Sequence, residues 1–437
     1  MEEADILITG CTILPMSSKM TIQDGVIAVK DNKIVFVGKR SSAGNIHAEK
    51  KIDARGKVAL PGLVNCHTHV AMTLFRGIAE DKPLNVWLRR HIWPLEAKLK
   101  KEDAYAGALL GCLEMLKNGI TCFADMYFCE DMVAKAVSES GLRAVLAEGI
   151  IEAGNKTKGE QMLSKSIEFA KKFYGNTNGR IYVMLAPHAA YSCSPELLQK
   201  IRENASKLEI GVHIHLAESA EMFKELEANY GCSEVEFLDK IGFFEGHTLA
   251  AHCINLSDMD RRILAGRGVN VVYVPVSNMK LGLGIARIKE LIELGVNVAM
   301  GTDSPASNNV LDMFETMKFG TLLQKLAYMN PEVLPAYETL KMATVNGAKA
   351  LGLERSIGTL ETGKKADVIL VDFSKPNLKP LHDVYANIIY ACHGGDVDTV
   401  VVDGKILMEQ RQLNTLNERA VIEKAERHAA NLLPRKP

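Results

Sequence analysis

Eight short apolar runs, each followed by a segment of helical or turn character, constrain this chain more than any other feature. They lie at 58–64, 121–126, 143–150, 181–186, 211–216, 248–251, 269–275 and 296–301. Runs this short and this uniformly apolar suit strands buried on both faces. The segments between them follow helix grammar. Residues 103–118 carry apolar side chains at helical spacing and stop at Gly119. Residues 195–208 begin with Pro195 behind an N-capping Ser194, and 233–242 and 287–295 read the same way. Strands alternating with helices predict an α/β fold, a (β/α)8 TIM barrel. In such a barrel the residues just past each strand form the working face. Reactive side chains should therefore cluster there.

They do. The first run ends in Pro-Gly-Leu-Val-Asn-Cys and then His67-Thr-His69. Alternate strand residues point to one side, so these two imidazoles can aim at one point. His188 follows the fourth run, the fifth contains His213 and His215 and leads into Glu218, His252 follows the sixth, and Asp303 the eighth. Isolated surface or core histidines would not show this bias. Three imidazoles and a carboxylate, His67, His69, His215 and Asp303, suit one divalent ion, Zn²⁺ foremost, with Fe²⁺ or Mn²⁺ as alternatives. Glu218, three residues past His215, reads as the proton-transfer acid. His252 reads as the group that orients water, or as a further ligand. Asp303 doubles as proton acceptor. His213 shares the side of His215 but sits deeper, in the core or behind a ligand.

The flanks differ. Residues 6–9, 25–30 and 33–38 read as strands, as do 366–372, 399–403 and 405–408. The expected organisation is a small β-sandwich domain built from both termini (1–57 and 365–437) around a barrel at 58–364. Independent folding of 58–364 would contradict it. A tail from 418 to 437 reads as an amphipathic helix with a basic stub. A net charge of −1 offers nothing to nucleic acid or an anionic membrane. No run approaches the ~18 apolar residues of a membrane span. Nine cysteines without a paired motif, and no signal-peptide pattern, point to a cytoplasmic protein with reduced thiols.

The chain resembles the amidohydrolase superfamily, and within it the 5′-methylthioadenosine/S-adenosylhomocysteine and 5′-deoxyadenosine deaminases. The resemblance is carried by PGLVNCHTHVAMTLFRGIAED (61–81), WPLE (93–96), APH (186–188), HIHLAE (213–218), AHC (251–253), PVSNMKLGLG (275–284) and GTDSP (301–305). GTLETGKKADVILVD (358–372) and VDGK (402–405) extend it to the termini. It implies the ligand set above, Glu218 as proton-transfer acid, Glu96 on the ribose hydroxyls and His188 on the purine. From the bare sequence, Glu96 would pass for a helix-surface acid. A second metal in such barrels uses a lysine after the fourth strand, and 185–191 has none. The implied substrate is a small nucleoside, the product an inosine derivative plus ammonia, and the assembly a homodimer or tetramer.

One departure bears on substrate choice. Family members that handle S-adenosylhomocysteine carry arginines after the third strand, where this chain has Glu148. At ~4 Å and an effective dielectric of ~20 a unit-charge contact amounts to about 4 kcal/mol. Glu148 facing the substrate would thus favour 5′-deoxyadenosine, 5′-methylthioadenosine and adenosine over the charged compound. Two other readings stay open: an amidohydrolase acting on a different nitrogen heterocycle such as guanine, and a non-catalytic assembly protein of the same fold. The latter should have lost a ligand.

Overall fold

The computed structural model describes residues 2–174 and 179–432. Its strands form two sheets. One is an eight-stranded parallel sheet in chain order: Leu63–Thr68, Ile120–Tyr127, Arg143–Ile150, Ile181–Pro187, Gly211–Leu216, Thr248–His252, Asn270–Tyr273 and Val298–Met300. It curls until its last strand returns to its first. There Thr302 N donates to Asn65 Oδ1 (2.9 Å) and Asp303 N to the His67 carbonyl (2.9 Å). Helices cover the outside, as in Lys101–Lys117 and Pro195–Lys207, the latter capped by Ser194 Oγ accepting from Leu197 N. This is the (β/α)8 barrel the alternation predicts.

The other sheet has nine strands, drawn from both ends of the chain. Glu2–Ile13, Ile22–Lys30, Lys33–Lys39, Ile46–Asp53 and Lys57–Pro61 join Val368–Asp372, Val397–Val402, Lys405–Glu409 and Gln412–Leu413. The central seam is the antiparallel pairing of Lys57–Pro61 with Val368–Asp372.

The apolar run expected as one barrel strand at 58–64 is in fact two strands in two sheets. Gly62 divides them. Its N–H bonds Asp367 of the terminal sheet (3.0 Å), whereas Leu63 N bonds Gly119 at the start of the second barrel strand (3.0 Å). A Cβ at Gly62 would lie 2.0 Å from Thr121 Oγ1, so only glycine lets the backbone change sheets there. Periodicity cannot register a change of partner within a continuous apolar run. The strand Ile46–Asp53, polar along most of its length, was also outside the expected set.

The sheets are joined by a buried ion pair. Arg143, at the foot of the third barrel strand, gives Nε and Nη2 to both Asp367 oxygens (2.9 and 3.0 Å) and Nη2 to Asp403 (3.2 Å). The C-terminal helix Glu418–Leu432 lies on Lys101–Lys117 of its own barrel, through His428 Nδ1 to Asp103 (2.6 Å) and Lys117 to Glu418 (2.6 Å). The basic stub expected after it lies outside the described residues. No helix among them is long and apolar enough to cross a membrane, and all nine cysteines are free.

Candidate metal centre and cleft

At the C-terminal end of the barrel four imidazoles converge, and each is held by its Nδ1. His67 Nδ1 meets His213 Nε2 (2.9 Å), His69 Nδ1 the Met126 carbonyl (2.6 Å), His215 Nδ1 the His188 carbonyl (2.8 Å), and His252 Nδ1 the Asn278 Oδ1 (2.9 Å). Carbonyl acceptors require a proton on Nδ1, which leaves the Nε2 lone pair free. The Nε2 atoms of His69 and His215 are 3.3 Å apart. Asp303 Oδ1 lies 3.4 Å from His69 Nε2 and 3.6 Å from His67 Nε2. Donors bound to one ion at ~2.0–2.2 Å stand at such mutual separations. His67 Nε2 is buried and has no hydrogen-bond partner. A buried polar atom without a partner is costly unless a ligand takes it. His67, His69 and Asp303 form one group of donors close enough to share a divalent ion, and His67, His215 and His252 form a second that overlaps it at His67.

The electrostatics agree. Burial, reinforced by the neighbouring imidazoles, holds His67 and His215 well below the usual histidine pKa. Burial likewise takes His188 down to about 4 and His213 to about 3. Neutral imidazoles are what a cation needs. Asp303 is fixed by Ser277 Oγ donating to Oδ2 (2.6 Å) and Ser304 N donating to Oδ1 (2.7 Å). Its φ of 63°, like the 74° of His252, is left-handed backbone held in place by the surrounding bonds. Gly301 makes room beside it: a Cβ there would lie 2.8 Å from His67 N.

Glu218 stands beside this set, Oε1 3.7 Å from His252 Nε2. Burial raises its pKa, as does Asp303, against the pull of His252. A cleft opens over these groups. His188 lines it, its ring edge-on to Tyr191 and its Nδ1 3.2 Å from Ser192 Oγ. Glu96 lines it too, at the end of the short helix Trp93–Glu96, accepting from Tyr127 Oη (2.8 Å). Burial lifts Glu96 to about 7 against that hydrogen bond. Glu96 is thus a cleft residue and not the helix-surface acid of the bare sequence. Leu84, Trp87, Leu88 and Ile92 supply one wall, Phe128 and Ile151 part of another. Among the described residues, none of those lining the cleft is a lysine or arginine.

Glu148 needs correcting. It does not face the substrate space. Its Oε1 accepts from Cys129 N (3.2 Å) and from Lys165, and its Oε2 from Glu130 N (2.9 Å). It caps the helix Glu130–Ser140 from outside the strand, and only 2% of it is exposed. Gly149, the next residue, lines the cleft instead, as strand alternation requires. The sequence reading also gave no role to Ser277 and Asn278, although the motif containing them was visible. No spacing rule links a short helix at 275–280 to two side chains on other strands.

Comparison with known proteins places the chain in a family. The model of the Amidohydrolase family matches residues 58–407. A 5′-deoxyadenosine deaminase of Methanosarcina mazei is 49% identical over 433 residues, covering 99% of both chains. A 5-methylthioadenosine/S-adenosylhomocysteine deaminase of Pelotomaculum thermopropionicum is 46% identical over 434 residues, 99% of this chain and all of the relative. A solved adenosine deaminase from Xanthomonas campestris with bound zinc superposes with a TM-score of 0.94 at 33% identity, 99% of each chain covered.

Proposed function

The chain belongs to the amidohydrolase family, and from that premise we propose that its cleft carries out metal-dependent hydrolytic deamination of 5′-modified adenosines. Water adds to the purine carbon that bears the amino group, ammonia leaves, and the inosine derivative remains. The observation that carries the reading is the convergence of metal-competent donors in two triads that share His67, one with His69 and Asp303 and the other with His215 and His252, beside a buried acid in a cleft whose next carboxylate is Glu96. His67, His69, His215 and Asp303 would hold the ion, and zinc suits a three-imidazole, one-carboxylate set. Such an ion, when bound, lowers the pKa of water from ~15.7 toward ~7.

The protein's own groups do the rest. The raised pKa of Glu218 keeps a proton available for a ring nitrogen as the water oxygen adds to the carbon. His252, locked by Asn278, presents Nε2 to orient that water. Asp303 accepts one proton of the water and passes it to the departing amine, and the other leaves the added oxygen as the C–N bond breaks and restores Glu218. His188 positions the purine, and Glu96 accepts from the ribose hydroxyls.

The preference for an uncharged 5′ group now rests on the cleft and not on Glu148. The cleft wall of Leu84, Trp87, Leu88 and Ile92 suits an apolar substituent, and no lysine or arginine lines the cleft among the described residues to pair with a charged amino-acid moiety. The preferred substrates are 5′-deoxyadenosine and 5′-methylthioadenosine, then adenosine, with S-adenosylhomocysteine weaker. A steady-state survey of ammonia release tests this: kcat/KM for 5′-deoxyadenosine should exceed that for S-adenosylhomocysteine by roughly tenfold or more, about 1.4 kcal/mol. Deamination of guanine in preference to every adenosine would contradict it. The cytoplasm, with its reduced thiols, is the compartment we infer.

A further inference from the structure

Glu96 enters the cleft from a lightly tethered segment. Its helix has four residues and continues the short turns at 84–92. Leu84, Trp87, Ile92 and Leu95 join the apolar cluster of Met72 and Phe75 at the barrel mouth. Such burial is non-directional, so it holds the segment down without aiming a carboxylate. Among the described residues, residues 84–99 make two hydrogen bonds to the rest of the chain. One joins the exposed pair Asn85 and Glu221. The other runs from Tyr127 Oη to Glu96 Oε1 (2.8 Å).

Tyr127 closes the second barrel strand and is 5% exposed. Burial, with Glu96 beside it, pushes its phenol well above the usual tyrosine pKa. The phenol therefore keeps its proton and donates it, since a carboxylate can only accept. The bond turns Oε1 toward the strand and leaves Oε2 for a ligand. The preceding residue holds the other end of the cleft: the Met126 carbonyl accepts from His69 Nδ1 (2.6 Å). Consecutive residues of one strand end thus fix a donor of the metal centre and the acid of the sugar end. That strand is paired on both sides, so the spacing between the two is set by backbone.

We propose that Tyr127 is the positioning residue that sets the selectivity of the cleft for nucleosides with free 2′ and 3′ hydroxyls. The inference rests on the functional reading above, in which Glu96 accepts from those hydroxyls. Tyr127 holds Glu96 at one distance from the metal centre, so purine and ribose are bound in a single register. A sugar without hydroxyls leaves a lone pair of Glu96 without a donor, and a site built to bond a hydroxyl rejects the analogue that lacks it. Without the phenol, Glu96 swings with its short helix and that discrimination fades.

Tyr127→Phe tests this, with adenosine and 2′,3′-dideoxyadenosine, which differ at those hydroxyls alone. Wild type should favour adenosine. In the variant the KM for adenosine should rise at least ~10-fold, the usual weight of a hydrogen bond to a charged group. Its kcat should hold within about twofold, because the sugar is bound alike in the ground and transition states. The KM for dideoxyadenosine should not move. In a Glu96→Ala background the same substitution should change neither substrate. A structural lesion would instead penalise both substrates alike, and that result overturns the proposal, as does an unchanged KM for adenosine. A wild type that deaminates adenosines but does not distinguish these two overturns the role of Glu96 and this inference with it. A wild type that deaminates no adenosine overturns the functional reading itself.

Discussion

At the foot of the barrel the guanidinium of Arg143 is fully buried, yet Asp367 and Asp403 accept its hydrogen bonds. At the mouth His67 is as deeply buried, and its Nε2 has no partner. Both are polar groups removed from water, and the difference lies in whether the surrounding fold completes them. Where it does, the group fastens two sheets together. Where it stops one bond short, the remaining lone pair is kept for something the protein must acquire. The left-handed backbone at His252 and Asp303 fits the same contrast, since strain there is carried for geometry and not for stability.

Perturbing each end should break different things. At the mouth, Glu218→Gln should lower kcat by ~10²–10⁴-fold while metal content and Tm hold, because it removes a proton and not a donor to the ion. A loss below tenfold would move proton delivery elsewhere. At the foot, Arg143→Met should cost about 3–5 kcal/mol by leaving Asp367 buried and unpaired. Denaturant unfolding at fixed metal would measure it, and kcat of the folded fraction should stay near wild type. The two behaviours meet at His213, a buried imidazole whose Nε2 holds His67 Nδ1. His213→Phe should weaken metal affinity by ~10–100-fold in chelator competition, the usual effect of removing such a support.

The smallest effect concerns Glu96. Its carboxyl, raised to about 7, must be ionised to accept two hydroxyls. Protonation as pH falls through that value should therefore lower kcat/KM for nucleosides, approaching tenfold per unit below it. Glu96→Gln should flatten that limb of the profile. An unchanged limb would assign it to another group.

Most of this division is legible in the sequence. Strand ends carrying His67, His69, His188, His215, His252 and Asp303 announced the mouth, because a buried strand has few other reasons to end in an imidazole. The foot was silent. Arg143 and Asp367 are far apart in sequence, and nothing local predicts their pairing. Gly62 concealed a change of sheet inside one apolar run. Glu148 was misread although the same strand parity that grouped His67 with His69 would have turned it outward. Glu96 could not be found from spacing, because a four-residue helix places it in the cleft by tertiary packing alone. Ser277 and Asn278 were visible as a motif without a role, since their work is done on residues of other strands.

Anomalous diffraction at the zinc edge tests the central claim most directly. The account predicts one peak per chain, within ~2.0–2.2 Å of Nε2 of His67, His69 and His215 and of an Asp303 oxygen, and its disappearance in His67→Ala. A protein that is fully active with no metal between those four side chains, or a peak held by a different set, would contradict it.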